Sequence, residues 1–84
     1  MTDDPAVGFT RIEHIRSEYP ILSKSEPRVA ELRQKLLEGD KTPVIVRRLP
    51  TGGFHIFEES NPRYLAHIYE DFEHIPVLVV PQNN

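Results

Sequence analysis

The sequence contains no cysteine, and among its 84 residues only one methionine and four glycines. Without a thiol there is no disulfide framework, no thiolate zinc site and no sulfur nucleophile. Long apolar runs are missing too. The longest, residues 77–80 after Pro76, is far below the ~20 residues that span a bilayer, so no membrane association is expected. The opening Met1-Thr2-Asp3-Asp4-Pro5 lacks the basic and apolar regions of a signal peptide, which makes a cytoplasmic protein the expectation. No strong excess of one charge is present either. Ten basic residues face thirteen acidic ones for a net charge of -3, which disfavours direct DNA binding, because duplex affinity follows the number of phosphates neutralised by Lys and Arg. There is no internal repeat and no low-complexity tract. At 9.7 kDa with 38% hydrophobic residues, the chain makes one small domain that buries roughly 60% of its unfolded surface. Any site on it is shallow.

What charge there is divides unevenly. Residues 10–48 carry nine of the ten basic side chains against six acids, whereas residues 49–84 carry Arg63 against five. A basic side and an acidic side follow if the halves pack together, an arrangement that suits a local anionic ligand better than a wrapped duplex. Residues 1–8 and 82–84 are short and weakly patterned and are expected as a flexible start and a tail around a domain at residues 9–81.

Within that domain the punctuation is clear. Gly8-Phe9-Thr10-Arg11-Ile12 alternates as a short strand, followed over residues 13–17 by a helical turn or a 3₁₀ piece. Ser25 and Pro27 open a helix, Val29, Leu32 and Leu36 repeat at three and four, and Gly39 stands where a C-cap is wanted. Val44-Ile45-Val46 is a β-branched run expected to be buried on both faces. Thr51-Gly52-Gly53 supplies a hairpin turn, and Phe54-His55-Ile56-Phe57 returns. Asn61 as N-cap and Pro62 at the first helical position open a second helix, in which Leu65, Ile68, Tyr69 and Phe72 continue at helical spacing. Tyr64, Tyr69 and Phe72 are read as core beside Leu65 and Ile68. Pro76 and Pro81 fence a last strand. The order is β-α-β-β-α-β, an α+β domain with a mixed sheet covered by two helices.

In that order, Ile15-Arg16, Pro20, the helix start Glu26-Pro27-Arg28-Val29, Pro43-Val44-Ile45-Val46, Gly53-Phe54-His55-Ile56-Phe57, Arg63-Tyr64-Leu65-Ala66 and Ile75-Pro76-Val77 resemble the ParB N-terminal and sulfiredoxin superfamily over about residues 9–80. The resemblance implies that the chemistry sits in the turn before the second helix, where free N–H groups and the helix dipole receive a phosphate. That turn departs from the family. Where a sulfiredoxin has Gly-Gly-Cys-His-Arg, Asn61 and Pro62 replace the cysteine and histidine, and reduction of a sulfinic acid without a sulfur nucleophile is excluded. The Gly-Glu-Arg-Arg of ParB becomes Ser60-Asn61-Pro62-Arg63, which keeps the last arginine. Glu58 and Glu59 add negative charge close to where a polyphosphate would lie.

The remaining candidates are anion contacts. The resemblance matches Arg28, Glu31 and Lys35 to phosphate-holding positions, and Arg28, Lys35 and Arg63 make a cationic spot, with Arg16 a fourth member if the early segment folds over it and Ser60 and Asn61 beside it. The alternative for Arg28 and Lys35 is a solvated helix face, with Glu31 and Lys35 paired at i, i+4. Arg63, a cation in the first turn of a helix, calls for an acidic neighbour such as Glu59 or for an anion. His14, His55, His67 and His74 have no metal-ligand spacing, so no metal is expected, and His67 and Asp71 read as a surface pair. Glu58 and Glu59 reach one ion only if the backbone turns there.

These readings point to a binding or regulatory module with a residual phosphate site, no catalytic residue and a protein partner. No cofactor is expected, with a nucleotide as the alternative occupant. Two alternatives stand beside it: a nucleotide-binding hydrolase or ParB-like nuclease, with Arg63 on phosphate and Glu58 or Glu59 on magnesium, and a DNA-associated accessory protein acting through a partner.

Overall fold

A proline in the middle of a sheet is unusual because it cannot donate to a ladder, yet Pro76 lies inside the last strand. The computed structural model, which describes residues 6–81, runs β1 (Ala6–Arg11), a 3₁₀ turn (Ile12–His14), β2 (Ile15–Arg16), α1 (Pro27–Leu37), β3 (Val44–Arg48), β4 (Phe54–Ile56), a second 3₁₀ turn (Glu58–Ser60), α2 (Asn61–Tyr69) and β5 (His74–Val79). The sheet order is β1-β5-β3-β4-β2. β5 pairs with β1 along its whole length, but its parallel ladder with β3 begins only at Val77. Pro76 therefore sits where β5 has a single neighbour, and the missing N–H interrupts no second ladder. The prolines do not fence this strand as expected; the first is built into it.

The α+β class, the mixed sheet and the two helices are as the sequence suggests. β3 and β4 form the antiparallel hairpin, closed by Gly52 and Gly53 at φ 96° and 78°. One strand is added to the expected order. After the 3₁₀ turn, Ile15 and Arg16 pair in parallel with Phe54 and His55, so only the first part of residues 13–17 is helical. Residues 6–8, expected in the flexible start, belong to β1, opposite residues 77–79. Residues 1–5 and the tail 82–84 lie outside the described residues.

Two apolar clusters make the core. Val44, Val46, Ile56, Ile75 and Val77 fill the space under the sheet with Ile15. Val29 and Leu36 of α1 meet Leu65 and Ala66 of α2 in the other, and Tyr64 packs against both. Within β3 the alternation wins over the continuous run: Val44 and Val46 are fully buried, and Ile45, facing the other way, is half-buried.

The start of α1 and the end of α2 depart slightly from the reading, while α1 ends at Gly39 as expected. Glu26, not Ser25, caps α1, its Oε2 accepting from the amides of Arg28 and Val29 at 3.0 and 3.3 Å. At the far end Gly39 turns left-handed (φ 92°), and Asp40 N–H bonds Lys35 O, a Schellman ending. α2 closes the same way three residues before Phe72. Asp71 is left-handed at φ 58°, and Phe72 N–H returns to His67 O at 3.0 Å. Consequently Ile68 and Phe72, read as core, remain 39% and 38% exposed.

Candidate functional site

The turn before α2 is fixed by backbone and side chain together. Phe57 N–H donates to Ile45 O at 3.0 Å, and Ser60 Oγ accepts from Ile45 N–H at 2.8 Å, so the 3₁₀ turn Glu58–Ser60 is clamped onto β3. Ser60 is thus buried and its hydroxyl is committed to the strand. Because the turn already has near-helical dihedrals, Asn61 enters α2 at φ -59°, ψ -44° as a helical residue rather than as the N-cap. Its freed amide reaches across the fold. Oδ1 accepts from Ser17 Oγ at 2.8 Å, and Nδ2 donates to Pro20 O at 3.0 Å. Tyr69 OH donates to Leu22 O. Three side-chain bonds from α2 therefore strap residues 17–22 over its face.

This strap forms one wall of an open groove of about 710 Å³ at the turn. Tyr19 stands on the strap side, with its ring edge-on to His55 at 6.2 Å between centroids. Arg28 from α1 and Arg47 from β3 line the groove from two elements, Glu58 and Glu59 line it from the turn, and Pro62 lines it from the start of α2. The backbone does turn at the two adjacent glutamates, as a 3₁₀ turn, and both line this groove. Among the described residues no group of three or more metal-ligating side chains forms.

The expected cationic spot is distributed differently. Of its members only Arg28 lines the groove, and its Nε is also 3.0 Å from Glu26 Oε1. Lys35 pairs with Glu31 at 3.5 Å on the exposed face of α1. Arg63 Nη1 donates to Asp40 Oδ2 at 3.0 Å, with the two side chains only 16% and 23% exposed; the compensating acid is Asp40, not Glu59. Hydrogen bonds from the hydroxyl and amide of Thr42, and then from Arg63, hold the Asp40 carboxyl well below the usual carboxylate range. Arg16 lines a neighbouring hollow of about 620 Å³, together with Ser17, Thr51 and Tyr64. His67 is not a surface partner of Asp71. It is buried, Nδ1–H donates to Arg63 O at 2.8 Å, and burial lowers its pKa below 6.5, with the hydrogen bond opposing in part.

Arg47, His55 and Tyr19 were not among the sequence candidates. The first two were within reach of the hairpin: a turn at residues 51–53 with Val46 inward sets Arg47 outward and opposite His55. Tyr19 had no such signal, since its position depends on the strap.

No family model and no curated protein sequence matches this chain. Solved structures do. Sulfiredoxin from Arabidopsis thaliana superposes with a TM-score of 0.74 at 23% identity, covering 93% of this chain and 88% of that one. The C-terminally truncated chromosome-partitioning protein ParB from Caulobacter crescentus matches in its complex with CTP-gamma-S (TM-score 0.68, 20% identity, 94% of this chain and 46% of that one). It also matches in its complex with the centromeric parS site (0.64, 20%, 92% and 40%). This chain spans less than half the length of those ParB chains. The fold is that of the sulfiredoxins and of the ParB N-terminal domain.

Proposed function

We propose that this domain is a non-catalytic binding module that takes a phosphate-bearing anion in the groove before α2. The observation that carries the reading is that two arginines from separate elements, Arg28 of α1 and Arg47 of β3, line one groove. Arginine forks match phosphate oxygens in pairs. Arg63 is spent on Asp40 and takes a structural role. Glu58 and Glu59 oppose the ligand's charge and keep the affinity modest. A module of this kind works through a protein partner in the cytoplasm; no helix among the described residues is long and apolar enough to cross a membrane. Isothermal titration with CTP and ATP, with and without magnesium, tests the reading. Binding weakened by Arg28→Ala and by Arg47→Ala is expected, and absence of binding overturns it.

A second reading, a magnesium-dependent nucleotide hydrolase, is favoured by the two glutamates sharing the groove. Magnesium commonly uses one or two carboxylates plus substrate phosphates. Phosphate release separates the two. In the module reading nothing is released, and Glu58→Gln or Glu59→Gln tightens binding; in the hydrolase reading the same substitutions abolish turnover.

A further inference from the structure

Arg47, His55 and Arg16 are register partners across three strands: Arg47 stands opposite His55 between β3 and β4, and Arg16 opposite it between β4 and β2. Register partners project from the same face of a sheet. The three side chains therefore make one row whose outer members are two strand spacings apart, about 10 Å. His55 borders both hollows, with Arg47 in the first and Arg16 in the second. Neither arginine makes an ion pair among the described residues.

The middle of the row is unsatisfied. The His55 side chain is 12% exposed, and its Nε2 is buried with no hydrogen bond, a condition that costs free energy until a partner arrives. The nearest acid is Glu18, whose Oε2 lies 3.7 Å away, beyond hydrogen-bond length. Its side chain is 84% exposed, so this carboxylate stands over the imidazole on a free stalk.

We propose that Arg47, His55 and Arg16 form a phosphate-binding row that carries the groove past β4, and that Glu18 is a built-in competitor that covers His55 until a phosphate displaces it. The proposal rests on the anion-binding reading of the groove, with which it shares Arg47. The ligand class is a free linear oligophosphate long enough to touch both arginines. A single phosphate reaches only part of the row.

Titration calorimetry with inorganic tripolyphosphate and with orthophosphate tests this on the wild type, Glu18→Gln, Arg16→Ala and Arg28→Ala, with circular dichroism confirming the fold of each. Tripolyphosphate is expected to bind more tightly than orthophosphate. Removing the exposed competing charge in Glu18→Gln tightens it by about 2- to 5-fold, and Arg16→Ala weakens it by a similar factor. Tripolyphosphate binding that responds to Arg28→Ala but is unmoved by Arg16→Ala and Glu18→Gln overturns the row and leaves the groove. No binding to the wild type overturns both. A tetrathymidylate arm separates the sources of phosphate: equal or tighter binding there overturns the assignment to a free oligophosphate.

Discussion

Arg63 of α2 and Asp40 of the loop after α1 are joined by a 3.0 Å hydrogen-bonded ion pair that ties the two helices' ends together. The same carboxylate accepts from Thr42 N–H at 2.9 Å and Thr42 Oγ1 at 2.7 Å. One acid thus shapes the entry to β3 and neutralises a cation in the first turn of a helix, where the dipole disfavours it.

From this pair follows a pH dependence. The folded pKa of Asp40 is depressed, so its contribution is full above the unfolded value near 4 and is lost as pH falls through the folded pKa. Thermal melts of the wild type and Asp40→Asn should differ most at neutral pH, and the gap should narrow on acidification below about 4. A gap independent of pH contradicts the linkage.

Asn61 gives a second test. Truncation to Ala leaves the Ser17 hydroxyl and the Pro20 carbonyl without their partner in a part-buried setting. We expect a loss of about 1–3 kcal/mol in urea unfolding, with faster amide exchange in residues 17–22. An unchanged midpoint would show that the strap does not depend on Asn61.

His67 titrates in the opposite part of the pH range. Since a carbonyl only accepts, Nδ1 carries the proton toward Arg63 O, and burial favours the neutral ring. Its folded pKa lies below 6.5, so its share of stability is present above 6.5 and declines as pH falls through the folded pKa. The wild type should lose stability between neutral pH and pH 5 more steeply than His67→Phe, and NMR should show the ring titrating below 6.5.

The glycines of the hairpin separate backbone strain from contact. A Cβ on Gly52 meets nothing within 4 Å, so Gly52→Ala costs about 1–2 kcal/mol for its left-handed φ alone. A Cβ on Gly53 falls 2.9 Å from His14 O, a backbone atom with little room to yield. Gly53→Ala should destabilise more than Gly52→Ala in the same denaturation assay; equal losses contradict the close approach.

These residues also show which features a reader of the sequence sees. Pro27, Gly39, Gly52-Gly53 and Pro62 are local signals, and they place the helices and the hairpin within a few residues of where they lie. The strap carries no periodicity and is held by bonds to residues 41 to 47 positions away; no local pattern announces it. Asn61 misleads because an N-cap residue type is also a good tertiary tether. Arg63, in the first turn of a helix, calls for an acid or an anion, and the acid it meets comes from 23 residues upstream rather than from the adjacent turn. Glu58 and Glu59 share a groove only because the strand gives way to a 3₁₀ turn, which a strand reading of that segment does not foresee.

The central claim is that anions enter beside Arg28 and Arg47 and not beside Arg63. A ¹H–¹⁵N correlation titration with millimolar tripolyphosphate tests it directly. The account predicts shifts gathered on the amides of Arg16, Glu18, Tyr19, Arg28, Arg47, His55 and residues 57–59, with Lys35, Asp40 and Arg63 unmoved. Shifts centred on Asp40 and Arg63, or none anywhere, would contradict it.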